Sequence, residues 1–163
     1  MSRVARKKRI TAAYSLMDEL LASNTEPMPE KMQVYQMTRI YTALNALETA
    51  PVATVEDWRV VSDAVNMLET LVTEMQVCED SSGLLDDAVN AMAKAGIRHL
   101  AGASLRLDAS GIQAARSVVE DYGLMLATLP HRTMVKCHRL TEKRIMEICS
   151  GNRKAHDVTV VNL

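Results

Sequence analysis

Apolar residues recur along this chain at intervals of three and four, interrupted by short polar or proline-containing breaks. That spacing is the period of one helix face, and it predicts six helices. The first covers about residues 5–22, with Ile10, Ala13, Tyr14, Met17, Leu20 and Leu21 as its stripe. Pro27 and Pro29 end it, because the residue before a proline is pushed out of the helical region. The second runs from Glu30 to about Thr49, with Met32, Tyr35, Met37, Ile40, Tyr41, Leu44 and Leu47 as its stripe.

Thr54 is an N-cap candidate for the third helix, whose first turn carries Glu56 and Asp57. Its apolar positions, from Trp58 through Val65 and Leu68 to Met75, predict a helix that continues to about Cys78. A fourth follows from Leu84 to about Ala101, with Leu85, Ala88, Val89, Met92 and Ala95 inward. Residues 105–107 could be extended. Asp108 caps the fifth helix, about 109–128, on the stripe Ile112, Ala115, Val118, Val119, Tyr122, Met125 and Leu126. Pro130 opens the sixth, which ends near Cys149 at Ser150-Gly151-Asn152. Residues 158–161 have short strand character. The resulting fold class is all-α: one domain over residues 10–150, a bundle or orthogonal array of about six helices. A basic N-terminal arm (residues 1–9) precedes it and a tail (151–163) follows.

Composition supports a single globular domain: 163 residues, 48% apolar and 24% charged. Eleven Met and no Phe suggest a core or groove able to repack, since the thioether chain is unbranched and flexible. Cys78, Cys137 and Cys149 are odd in number and far apart, which favours reduced thiols over a disulfide framework. No membrane span or signal peptide is apparent, and a cytoplasmic location is expected. The broad, Met- and Tyr-rich stripes of the first two helices exceed what one core needs, which points to a homodimer through that region.

Charge changes the picture more than composition does. The net charge of −1 conceals two basic ends and an acidic middle. Residues 1–9 hold Arg3, Arg6, Lys7, Lys8 and Arg9 with no acid, while residues 131–154 hold seven bases against Glu142 and Glu147. Residues 10–130 carry seven bases and seventeen acids. Arg132, Lys136, Arg139 and Lys143 step by four, three and four, and so share one helical face. With Arg6, Lys7 and Lys8 they form the candidate binding site. Such a stripe can neutralise phosphates, meet an acidic protein, or be compensated by the chain's own acids. A helix-turn-helix reading of residues 126–145 is weak, because the turn at residues 129–132 lacks glycine.

No phosphate-binding glycine loop, nucleophile elbow or paired-histidine metal helix occurs. His131, Cys137, His138 and Cys149 crowd the sixth helix, but adjacent Cys137 and His138 diverge by about 100°. The expectation is a non-enzyme with no catalytic residues, metal or cofactor.

Residues 57–59, 63–66, 105–108, 129–134 and 138–145, behind a basic start, resemble small helical accessory proteins of proteobacterial prophages and mobile elements. The resemblance implies a protein that binds and blocks a host protein or nucleoprotein complex, as anti-CRISPR and other anti-defence proteins do. A DNA-binding transcriptional regulator using the basic sixth helix and N-terminal arm is the alternative. A structural virion or scaffold component is the third.

Overall fold

The computed structural model describes residues 13–151 and 163. Within them lie six α-helices and one π-helical turn: α1 (Leu16–Leu21), α2 (Glu30–Thr49), α3 (Val55–Glu69), the π turn (Thr70–Glu74), α4 (Leu85–Leu100), α5 (Ala109–Thr128) and α6 (His131–Cys149). No strand occurs among the described residues. The basic arm, residues 5–12 of the first expected helix and residues 158–161 lie outside them; residues 13–15 of that expected helix are not helical, because Ser15 caps α1 and starts it at Leu16.

Helix α3 is the centre. Its neighbours are α2, α4, α5 and α6, and it buries Trp58, Val61, Ala64, Val65, Met67 and Leu68 among them. The Trp58 indole N–H donates to Met92 O of α4 at 2.8 Å, so a large apolar ring enters the core without stranding its polar atom. Thr54 and Asp57 form a capping box at its N-terminus, each side chain accepting from the other's backbone N–H, at 3.1 and 2.9 Å.

The sequence predicts that α3 continues to Cys78, and it does not. After Glu69 the backbone widens into the π turn, marked by the bonds Met75 N→Thr70 O and Val77 N→Leu71 O, and Gln76 then turns left-handed at φ 53°. The extra residue keeps both Thr70 and Leu71 fully buried. Thr141 of α6 donates to the Thr70 hydroxyl at 2.7 Å, and Thr70 in turn donates to Asn66 O at 3.0 Å. Beside this chain the buried Arg144 guanidinium meets Glu69 at 2.6 Å. The packing of α6 on α3 is therefore partly polar, with Thr141, Thr70, Arg144 and Glu69 paired with one another or with Asn66 O.

The segment at residues 105–107 is neither helix nor strand, and it closes the end of α2. Leu107 N donates to Leu47 O at 3.1 Å and Arg106 Nε to Glu48 O at 2.9 Å, satisfying two of the carbonyls a helix leaves open at its C-terminus.

Helices α4 and α5 come close together at Gly111. A Cβ there would stand 2.8 Å from Asp108 Oδ1 and 3.0 Å from Ala91 Cβ. Asp108 cannot retreat, because Oδ1 accepts from Gly111 N at 2.7 Å as the N-cap of α5. Gly111→Ala is thus expected to destabilise by about 1–3 kcal/mol, the usual cost of overpacking, despite alanine's helix propensity. Urea unfolding monitored by circular dichroism measures it; a gain in stability would show that the two helices separate freely.

Candidate functional site

The candidate site starts from α1, whose polarity is inverted. Leu16, Met17, Leu20 and Leu21 fall within a sector of about 140° at ~100° per residue, and that sector faces solvent. They are 56%, 61%, 55% and 77% exposed, and α1 buries no residue at all. The sequence stripe that included Met17, Leu20 and Leu21 is correct as a face, but the face points away from the core.

What turns α1 this way is a set of polar contacts to α6. Glu19, on the side away from the leucines, forms an ion pair with Arg139. Arg132 reaches the open carbonyls at the C-terminal end of α1, donating from Nη2 to Leu20 O at 2.8 Å and from Nε to Ala22 O at 3.1 Å. A guanidinium there also complements the negative end of the helix dipole. The linker after α1 returns the favour at the N-terminus of α6: Ser23 O and Glu26 O accept from the backbone N–H groups of Arg132 and His131, both at 2.8 Å. Each helix end is capped by the other's chain. Before α1, Ala13 N donates to Glu142 Oε1 at 3.1 Å, and the Tyr14 ring stands edge-on to His138 with centroids 5.1 Å apart. Ser15 and Asp18 close a capping box, whose hydrogen bonds from Ser15 hold the Asp18 carboxyl below its ordinary pKa.

The basic stripe therefore divides. Arg132 and Arg139 spend their hydrogen bonds on α1 within the chain. Lys136 is exposed, and Lys143 is exposed beside Glu147 at 3.7 Å on its own helix. Four positions that the periodicity places on one face thus hold two structural arginines and two outward lysines. Arg6, Lys7 and Lys8 lie outside the described residues.

A smaller polar cluster sits beside the joint. His138 Nδ1 lies 3.5 Å from Glu142 Oε1, close enough for charge attraction yet not aligned for a hydrogen bond. Asp63 of α3 is exposed as a residue, but its carboxyl loses hydration against its surroundings, and this pushes its pKa up. His138 opposes the rise, Glu56 and Glu142 add to it, and Arg39 opposes it. Among the described residues no three His, Cys, Asp or Glu side chains gather as metal ligands. Cys137 is fully buried with its Sγ 3.3 Å from Met67 O, and burial raises its pKa to about 12, so its thiol stays protonated and inert as a nucleophile.

A second face, on α2, carries part of the apolar excess that the sequence places in its first two helices. Met32, Tyr35 and Tyr41, assigned to the stripe, are 42%, 66% and 42% exposed, whereas Ile40, Leu44 and Leu47 are buried. A shallow trough of about 570 Å³ runs along this side, lined by Val34, Met37, Thr38, Tyr41, Thr42 and Asn45. Two helix faces are thus left to solvent, and the excess of apolar residues in the sequence was the signal available for them. No helix among the described residues is long and apolar enough to cross a membrane. Neither family models, curated proteins nor solved structures give a match to this chain.

Two outcomes follow from the joint. Arg139→Ala removes one of the contacts that fasten α1 and should leave the Tm within a few degrees, since partly exposed pairs contribute about 0–1 kcal/mol. It should also speed proteolytic cleavage within residues 22–29; an unchanged cleavage rate would show that the pair does not hold α1. For Asp63, a raised folded-state pKa favours folding while the group is protonated and costs stability as pH rises through that value. Asp63→Asn should therefore melt above the parent at pH 7, and the difference should vanish below the ordinary aspartate pKa of 3.8. A variant that melts lower at pH 7 would reverse this assignment.

Proposed function

We propose that this is a non-enzymatic binding protein that presents the apolar ridge of α1, with Lys136 and Lys143 beside it, to a protein partner. The ridge, inserted into a groove on the partner, is the working element. One observation carries the reading: Leu16, Met17, Leu20 and Leu21 all face solvent on a helix fastened by its polar side. Fully burying one such side chain is worth about 1.5–3 kcal/mol. Leaving four of them about half in water forgoes several kcal/mol that an ordinary core-facing helix would gain. Amphipathic helices dock in grooves through the apolar side chains of one face, and α1 offers four, Leu16, Met17, Leu20 and Leu21. The two outward lysines favour a groove with an acidic rim.

In the context implied by the resemblance to prophage accessory proteins, the partner is a host protein or nucleoprotein complex of a bacterium, and binding blocks it. The division of the basic stripe weighs against the DNA-regulator alternative, because two of its four bases are committed to α1. Phosphate binding by the remaining lysines would release few counterions, and that alternative then depends on the basic arm at residues 1–9.

The test is capture from nuclease-treated host lysate by the tagged protein and by Leu20→Glu/Leu21→Glu. The parent should retain one protein in near-stoichiometric amount, and the variant should lose it with its helicity intact. Equal capture by both would overturn the reading, and capture that nuclease abolishes would favour the DNA alternative.

A further inference from the structure

The four bases of α6 form a regular line. From Arg132 through Lys136 and Arg139 to Lys143 it measures about 16 Å at ~1.5 Å per residue, so successive charges stand about 5–6 Å apart along the axis. Two acids border it: Glu142 on the flank, accepting from Ala13 N, and Glu147 at the far end, 3.7 Å from Lys143.

What occupies the two arginines is α1. Arg139 meets the Glu19 carboxylate, and Arg132 meets the carbonyl oxygens of Leu20 and Ala22 at 2.8 and 3.1 Å. A carboxylate and two carbonyls thus stand where the oxygens of an external anion would stand. Little holds this cover in place. Helix α1 buries no residue, its extensive helix contacts are with α6 alone, and its apolar side faces away. Segments with few buried apolar contacts open at a free energy well below that of global unfolding.

We infer that α1 is an acidic cover over a nucleic-acid-binding face: with α1 lifted, Arg132 and Arg139 join Lys136 and Lys143 on the phosphate backbone of a double helix. The regularity of the line selects this occupant. Backbone charges recur at a fixed short interval, one per ~3.4 Å of axis on each strand, whereas the carboxylates of a protein surface follow no fixed interval. Guanidinium forks take phosphate oxygens two at a time. Helix α6 has no Tyr, Trp or Phe on which unpaired bases could stack, which favours a duplex over a single strand. In the covered state only the two lysines are free, and the affinity is reduced by the small fraction of molecules that are open. A protein that grips the ridge of α1 would lift the cover and couple the two sites. That coupling rests on the proposed function, but the cover itself does not.

The test is the anisotropy of a fluorescent DNA duplex of about 20 base pairs, titrated with the full chain from about 50 to 200 mM salt. Leu20→Pro breaks α1 without changing any charge, and Leu20 is 55% exposed, so the body of the protein loses no packing. This variant should bind the duplex about tenfold more tightly at low salt. Its log–log slope against salt should steepen by about two, since each base that reaches a phosphate adds ~0.9. Adding Arg132→Ala and Arg139→Ala to Leu20→Pro should restore the parent slope. In the parent, saturating duplex should speed hydrogen exchange of the α1 amides, because duplex and α1 compete for the same arginines. An unchanged slope in a Leu20→Pro chain that keeps the helicity of α2–α6 overturns the inference, as does unaltered α1 exchange in the parent. A steeper slope that survives loss of both arginines overturns it too, and would move the phosphate contacts elsewhere, to the basic arm for one. Poly-glutamate bound as tightly as the duplex would make this a face for acidic proteins and overturn it equally.

Discussion

The Glu19 carboxylate and the Arg139 guanidinium decide which way α1 faces. Rotated half a turn, α1 would lay its leucines on α6 and hold its acids out to water, the arrangement hydrophobicity alone favours. The observed arrangement keeps Glu19 mostly shielded beside Arg139 and recruits Arg132 to the open carbonyls of Leu20 and Ala22. The pair fixes the orientation of α1 through its geometry, even though a partly exposed pair contributes little net stability. The linker that follows, whose carbonyls cap α6, and the outward ridge of α1 both depend on that choice.

Behind this joint the core is of a more ordinary kind. Helix α3 is wrapped by four others, and leucine, valine, alanine and methionine fill the space that phenylalanine would occupy elsewhere. Its contact with α6 departs from the apolar rule. The Thr141–Thr70–Asn66 chain and the Arg144–Glu69 pair place a hydrogen-bonded polar seam where the π turn brings Thr70 inward. Polar contacts of fixed geometry specify one angular position for α6. That position aims Arg132 and Arg139 at α1, so the core and the surface joint are parts of one arrangement.

Much of this was legible in the residues. The limits of α2 and α5 follow from Pro29 and from the Asp108 cap, strong local signals that nothing in the tertiary structure overrides. The buried stripes of α4 and α5 follow from periodicity in the same way. The end of α3 was not legible, because apolar spacing continues through Leu71, Val72 and Met75 while the backbone changes to a π turn. Periodicity gives the face of a helix but not what it faces, so the ridge of α1 was read as a stripe without its outward direction. The basic stripe on α6 failed similarly: sequence places Arg132, Lys136, Arg139 and Lys143 on one side, but only the packing separates the arginines that bind α1 from the lysines that do not.

Methionine oxidation tests the orientation of α1 directly, because this chain carries its own reference set. Met146 is 56% exposed, whereas Met28, Met92 and Met134 are at most 3% exposed. Brief treatment of the native protein with dilute hydrogen peroxide, followed by peptide mass mapping, ranks the methionines by access to water. With α1 turned outward, Met17 oxidises at the rate of Met146 and far faster than Met28, Met92 and Met134. A Met17 as protected as those three would place the apolar face of α1 against the body of the protein and contradict the account.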